Sequence, residues 1–383
     1  MNTFGKLITL LLFTVCFSAQ SASSQEQLKI THPKFSQPLV FNVALPNGYE
    51  KNTDKSYLMM FDFHPNANTY LSGMHDWLSH NGEWPWLQTI IVTPAPGNRV
   101  GMLFDKTGKT TPLLDFFEKE LFTEVDKKYR TNGFKIMSGF RLNGTIVLSM
   151  LLNKPDLVNA YIAVSPELKD DYAGILSSAK TALSKLDDKP RFLLLSHGST
   201  IKEDHQMTSY QALNSLLEKY APDELDWQYQ HFNKNYFMSL PLLSTILAIE
   251  NLFNDIHRGL SPESAISKQG VQAIVAHYKY LSTQKYGFQV SPQDSINQLG
   301  FYLLKSSPNE GLKVLQQNVD LFPKKINTHH NLAKAYAQLD NFNKAVTHQE
   351  NAVKIANKMP TWYQKRHGEI LAEYQQKLVK KQL

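Results

Sequence analysis

The chain has 383 residues, 42% hydrophobic and 19% charged, with 18 Gly, 18 Pro and a formal net charge of +6. That balance excludes collagen-like, low-complexity and wholly disordered classes, and only one apolar run, near the N-terminus, has any interest for a membrane. Basic residues are interspersed with acidic ones rather than gathered into a stripe with aromatics between them, which argues against nucleic acid as a partner.

Residues 1–22 open with Met-Asn-Thr-Phe-Gly-Lys, run through an apolar stretch from Leu7 to Phe17 and end in Ser18-Ala19-Gln20-Ser21-Ala22. A short basic lead, an apolar core and a small-residue zone predict a signal peptide over 1–22, cleaved near Ala22, and a bacterial periplasmic or secreted protein. The core of about 11 residues falls short of the roughly 20 that span a bilayer, so no integral membrane association is expected. Cys16 is the only cysteine and lies in this segment. The mature chain is therefore expected to have no disulfide, no thiolate nucleophile and no Cys-ligated metal. Val15 and Phe17 around it do not suit a lipoprotein signal.

From about Leu28 strands alternate with helices. Leu39–Leu45, Tyr57–Phe63 and Thr89–Thr93 read as strands, the second a continuous apolar run suited to a sheet centre. Thr111 to Tyr129 carries Leu114, Phe117, Leu121 and Val125 at helical spacing. A strand over Phe134–Ser138, a turn, a helix to Leu152 and strands over Ala160–Ser165 and Arg191–Ser196 follow. The alternation predicts an α/β fold with a doubly wound, mostly parallel sheet. Beyond about Gly259 strand signals stop, and Ser261-Pro262-Glu263 and Ser291-Pro292-Gln293-Asp294 read as helix starts. Gly311 and Ala345 are 34 residues apart, as are Asn318 and Ala352, while Leu299 and Leu332 are 33 apart. Small residues at this period resemble tetratricopeptide repeats, with Asn309 and Gly311 as departures in the first copy. A last helix from Thr361 to about Val379 would cap the open end.

In a doubly wound sheet chemistry sits at the carboxyl ends of the strands. Phe134–Ser138 feeds Gly139-Phe140-Arg141-Leu142-Asn143-Gly144 and then an apolar helix, the setting of a nucleophile elbow. Around it Lys127-Lys-Tyr-Arg-Thr-Asn, Leu152-Asn-Lys-Pro-Asp-Leu-Val-Asn-Ala-Tyr-Ile-Ala-Val-Ser-Pro and Phe237-Met-Ser-Leu-Pro-Leu-Leu resemble the esterase branch of the α/β hydrolases that includes siderophore esterases. The resemblance covers about residues 30–258, and some members of the family also carry C-terminal tetratricopeptide repeats. It implies an elbow reading Gly-His-Ser-x-Gly-Gly. Here Gly139 and Gly144 match, whereas Phe140 stands for the histidine, Arg141 for the serine and Asn143 for the first closing glycine. It also implies a catalytic histidine where Phe237 stands, and an acid after the strand ending at Ser196, with Glu203 and Asp204 both candidates.

A serine hydroxyl attacks a carbonyl only when an imidazole takes its proton and an acid orients that imidazole. Arg141 stays protonated and cannot attack or act as base; Phe237 accepts no proton. The sequence therefore predicts an α/β-hydrolase fold kept without its reaction, acting in binding or interaction. The competing reading is an active carboxylic-ester hydrolase using other groups, with Ser138, His197, His205 and His231 as the residues at hand. Arg141, with Asn143, would bind a carboxylate or phosphate at the helix head; the alternative is a salt bridge from Arg141 to a local acid such as Glu167. No cofactor and no metal are expected. A small anionic ligand in the cleft and a protein partner on the repeats are the expected partners. Gly108-Lys109-Thr110 lacks the first glycine of a phosphate loop, because residue 103 is Leu103. His329-His330 face different sides of a helix and His64-Pro65-Asn66-Ala67-Asn68 stands where the resemblance places the oxyanion loop. Trp77, Trp84 and Trp86 read as loop and core packing. The expected division is a signal peptide over 1–22, an α/β-hydrolase unit over 23–258, a helical linker over 259–291, tetratricopeptide-like repeats over 292–358 and a capping helix over 359–383.

Overall fold

The structure is a computed structural model and describes residues 24–80, 84–105 and 111–382. The expected signal segment with Cys16, and Gly108-Lys109-Thr110, lie outside the described residues.

Eight strands form one sheet: β1 (Gln25–Ile30), β2 (Leu39–Ala44), β3 (Tyr57–Asp62), β4 (Thr89–Pro94), β5 (Thr131–Phe140), β6 (Ala160–Val164), β7 (Arg191–Gly198) and β8 (Leu225–Phe232). Their spatial order is β1-β2-β4-β3-β5-β6-β7-β8. β1 and β2 are antiparallel to each other and β2 to β4, while every pairing from β4 through β8 is parallel. β3, β4, β6 and β7 are buried at every residue, as apolar runs must be in a parallel sheet covered on both faces. Alternate side chains serve opposite cores: Tyr57, Met59 and Phe61 enter one, Leu58 and Met60 the other.

The helices are α1 (Ala67–His80), α2 (Thr111–Phe116), α3 (Phe122–Lys128), α4 (Leu142–Asn153), α5 (Ile175–Leu183), α6 (Met207–Tyr220), α7 (Leu240–Leu252), α8 (Asn254–His257), α9 (Val271–Tyr280), α10 (Gln293–Leu304), α11 (Pro308–Leu321), α12 (Ile326–Gln338), α13 (Phe342–Ala356) and α14 (Thr361–Gln382). α2 to α6 pack on one face of the sheet; α1, α7, α9 and α10 pack on the other. The helix expected over Thr111–Tyr129 is present but passes through one wide turn, Phe117–Leu121, between α2 and α3. The stretch after Gly259 joins the second core directly. Tyr286 lies 5.8 Å ring to ring from Phe134 of β5, and Ile274, Tyr278 and Leu281 are buried beside it. Ser261-Pro262-Glu263 starts no helix. The Ser261 hydroxyl accepts the Glu263 N–H within a turn, and the next long helix waits until Val271. The hydroxyl of Ser291, by contrast, accepts the Gln293 N–H at the head of α10.

α10 and α11 form one antiparallel hairpin, α12 and α13 a second, and α14 packs along α13. A Cβ on Gly311 would come within 2.6 Å of the Leu304 backbone nitrogen, so this glycine, a departure from the repeat pattern, is what lets α11 close on α10. Its counterpart Ala345 is fully buried in the second hairpin.

Two histidines tie this packing to pH. His75 of α1 is buried and its Nε2 accepts the Thr89 N–H of β4 at 2.9 Å; burial pushes its pKa down to about 4. His367 of α14, buried 5.0 Å from His330, is likewise pushed down to about 4. Because the folded pKa lies below the ordinary 6.5, the unfolded chain takes up protons that the fold refuses. Stability is full above pH 6.5 and falls as pH drops toward 4. By pH 5 each such histidine costs about 2 kcal/mol. The melting temperature is expected to drop between pH 7 and 5, and to drop less in His367→Gln; parallel pH profiles of the two proteins would contradict this.

Candidate functional site

One residue, Arg141, separates the end of β5 from the start of α4, with φ 58° and ψ −124°. This is backbone that glycine favours, and it costs an arginine about 1–3 kcal/mol. The turn is this tight because its flanks are glycines. A Cβ on Gly139 would overlap the Asn143 carbonyl, and one on Gly144 would lie 3.0 Å from the Val164 oxygen. The Arg141 N–H donates to the Val164 carbonyl at 3.0 Å, the Thr145 N–H to the Arg141 carbonyl at 3.1 Å, and the Thr145 hydroxyl to the Glu167 carbonyl at 2.7 Å. These bonds fix the strained residue between β6 and α4 and throw its side chain outward, where it is exposed.

No side chain caps α4, so its first N–H groups are left without a side-chain acceptor. Among the described residues no carboxylate lies within ion-pair distance of Arg141. The expected alternative, a salt bridge to Glu167, is not formed: that carboxylate sits 3.7 Å from the His205 Nε2 and accepts from the Gln206 amide. Asn143 is half-buried in the first turn.

Phe237 follows β8 and begins a short turn over Phe237–Ser239. It is buried, with its ring 4.8 Å from that of Phe140. The position where the resemblance puts a histidine does reach the elbow, and it holds a phenyl ring packed on a second one. The two candidate acids differ in burial. Glu203 is buried and accepts from the Ser165 hydroxyl at 2.7 Å, the Gly198 N–H at 2.8 Å and the Thr200 hydroxyl at 3.2 Å; Asp204 is exposed. Ser165 was not singled out from the sequence. Its signal was its place directly after the β6 run, at the same sheet end as the elbow.

The other groups considered as substitutes are engaged elsewhere. Ser138 is buried within β5 and hydrogen-bonds Asp62, whose carboxyl burial pushes up to about 6. Asp62 also accepts the His64 N–H at 2.8 Å, which anchors the His64–Asn68 loop as it turns into α1. His197 is buried in β7. Its Nδ1 faces the Gly198 carbonyl and its Nε2 the Tyr229 hydroxyl, both at 2.7 Å, which uses both nitrogens and leaves burial to push its pKa down. His231, exposed on β8, stacks on it at 4.6 Å. Among the described residues no histidine hydrogen-bonds Ser138 or Arg141, and no group of three His, Cys, Asp or Glu could hold a metal ion. Of the three tryptophans only Trp86 is core, edge-on to His75 at 5.4 Å; Trp77 and Trp84 are exposed.

No family model matches the chain. A segment of 109 residues, 28% of this chain, is 29% identical to the ferri-bacillibactin esterase BesA of Bacillus subtilis and spans 37% of that protein, well under half its length. Among solved structures the chain is similar to an IroE-like serine hydrolase from Shewanella oneidensis, with TM-score 0.56 and 19% identity over 78% of this chain and 100% of that one. It is also similar to an uncharacterised protein from Capnocytophaga ochracea, with TM-score 0.64 and 13% identity over 92% of this chain and 99% of that one, a span that takes in the C-terminal helices. A BES protein from Bacillus cereus matches with TM-score 0.53 and 16% identity over 65% and 98%. The fold is that of an esterase-like α/β hydrolase.

The elbow's geometry is tested by two substitutions with opposite signs. Gly139→Ala forces the turn open and is expected to destabilise by about 3 kcal/mol or more. Arg141→Gly relieves the backbone and, after the entropy glycine adds to the unfolded chain, is expected to stabilise by about 1 kcal/mol. Urea unfolding midpoints read both, and a lower midpoint for Arg141→Gly would show that the conformation is not strained.

Proposed function

We propose that this chain is an esterase-type hydrolase without its reaction, whose cleft binds a small anion through Arg141. The carrying observation is a strained, exposed arginine, without an ion-pair partner among the described residues, at the uncapped head of α4. Strain of this kind persists where the surroundings over-determine it, and an outlier is grounds for a functional hypothesis. An anion between the guanidinium and the first N–H groups of α4 would take charge-assisted hydrogen bonds from both. It would also turn an unfavourable pairing of cation and positive helix end into a favourable one. The half-buried Asn143 amide would add a donor on the same side.

The absence of hydrolysis follows from the same residues. Arg141 has no nucleophilic lone pair at working pH, and the Phe140–Phe237 pair fills the place from which a base would act. The C-terminal hairpins, whose period supports a tetratricopeptide-like reading, would present a surface to a protein partner. A groove of about 570 Å³ lined by Asn297 and Phe301 of α10, Lys305 just after it and Asn331 of α12 is the place for it. An N-terminal signal over 1–22 would send the protein to the periplasm.

Intact mass after incubation with a fluorophosphonate reads the lost reaction. No adduct is expected on the natural protein; an adduct would show an activated serine and overturn the reading in favour of a working esterase. Calorimetric titration with inorganic phosphate and with acetate reads the anion site. Arg141→Ala is expected to weaken binding at least tenfold, corresponding to loss of a charged hydrogen bond of about 1.5–3 kcal/mol. Equal heats from the two proteins would remove Arg141 from the site.

A further inference from the structure

Around the elbow the loops that follow β5, β7 and β8 present large apolar side chains to water. Leu142 is 49% exposed, Met238 71%, Ile201 86% and Tyr236 87%. β5, β7 and β8 run parallel, so all four residues leave the same end of the sheet. β7 and β8 are neighbours, about 5 Å apart, and β5 lies two strands from β7, about 10 Å away. The two outer loops also touch, the Ser199 hydroxyl donating to the Asn233 side-chain oxygen at 3.3 Å.

These tips are held in place. Ile201 stands at the crest of a turn closed from below by the buried Glu203, which accepts from Gly198 and Thr200 while its own N–H donates to the Thr200 carbonyl at 2.8 Å. Tyr236 and Met238 flank the buried Phe237 in a turn closed by the Ser239 N–H and hydroxyl, which donate to the Tyr236 carbonyl at 2.9 and 2.7 Å. The fold thus drives Phe237 inward and both neighbours outward. A set of apolar side chains fixed in the exposed position on one rim marks an interaction surface, unlike apolar residues scattered singly.

The charges beside them name the partner. Lys202 adjoins Ile201 and Lys234 precedes Tyr236 by two residues, held in a turn with φ 70°. Both are exposed, and among the described residues neither is ion-paired. Across 199–206 and 233–239 the carboxylates are Glu203, which is buried, and Asp204, the one exposed acid. Apolar tips, a tyrosine that suits a half-wet boundary and unpaired lysines together complement a surface that is apolar beneath and negative above. We infer that this rim docks peripherally on an anionic phospholipid bilayer, Ile201, Tyr236 and Met238 entering the headgroup region and Lys202 and Lys234 meeting lipid phosphates. The docked orientation turns the elbow toward the membrane. The inference does not depend on whether Arg141 binds an anion, because Arg141 is not among its contacts.

Sedimentation of the purified protein with vesicles of phosphatidylcholine alone, or with one third phosphatidylglycerol, tests it. Binding is expected to be at least tenfold stronger to the anionic vesicles and to weaken as salt rises. Ile201→Ser/Tyr236→Ser/Met238→Ser is expected to lose that binding, and Lys202→Glu/Lys234→Glu to lose its dependence on phosphatidylglycerol. All five side chains are exposed, so unchanged melting temperatures serve as the folding control. An environment-sensitive dye on Met238→Cys is expected to shift to the blue on anionic vesicles. No partition of the natural protein, or partition with an unshifted dye, overturns the inference. So does a dimer in sedimentation velocity that the triple-serine variant abolishes without any vesicle binding, which would assign the rim to a second copy of the chain.

Discussion

The passage from β5 to α4 through a single residue is the constraint on which the rest of the site depends. Two glycines bring backbone against backbone there, and Arg141 is held in a conformation few side chains accept by bonds to Val164 and Thr145. Since β5 through β8 are parallel and the helices cover both faces, that passage opens at the same sheet end as the loops after β6, β7 and β8. Topology alone therefore gathers Arg141, Ser165, Glu203 and Phe237. What the ensemble can do is decided by side-chain chemistry, which is why a hydrolase fold and hydrolysis are separate conclusions.

Glu203 shows how the fold accommodates a buried carboxylate in the loop after β7. A buried carboxylate without a cation is costly unless donors surround it. Ser165, Gly198 and Thr200 supply those donors. Both oxygens are thereby spent on the loop that follows β7 and on its link to β6. The acid acts as a structural pin, and no imidazole is required to account for its burial.

The central strands were legible because burial on both faces demands unbroken apolar runs, and Tyr57–Asp62 and Arg191–Gly198 have them. The edges were not. β1 reads Gln-Glu-Gln-Leu-Lys-Ile and β8 Leu-Asp-Trp-Gln-Tyr-Gln-His-Phe, each with a partner on one side only and largely polar. The tight turn at Arg141 could be read from its flanking glycines, which depend on local order along the chain. Which of Glu203 and Asp204 is buried could not, because the donors that hold Glu203 include Ser165, 38 residues upstream. The pairing of Glu167 with His205 and Gln206 instead of Arg141 has the same origin: candidates 26 to 39 residues apart compete in space, and spacing along the chain does not rank them. Ser261-Pro262 misled for a different reason. A serine accepting the N–H two residues on serves a free turn as well as a helix start.

Arg141 and Phe237 also bear on each other under the proposed reading. A histidine at position 237 would bring a polar, partly hydrated ring to the neck of the turn; Phe237 and Phe140 bring a dry contact 4.8 Å across. Charge interactions strengthen as the surroundings lose water, so under the proposed reading an anion would be held more tightly the nearer it came to that dry contact. Arginine alone at the elbow, with a histidine left in place, would put two groups that can both be cationic next to each other and raise the cost of the strained residue. A phenylalanine there would avoid that repulsion and offer no proton acceptor. Under the proposed reading Arg141 and Phe237 would therefore act together, the one offering charge to an anion and the other withholding a proton acceptor.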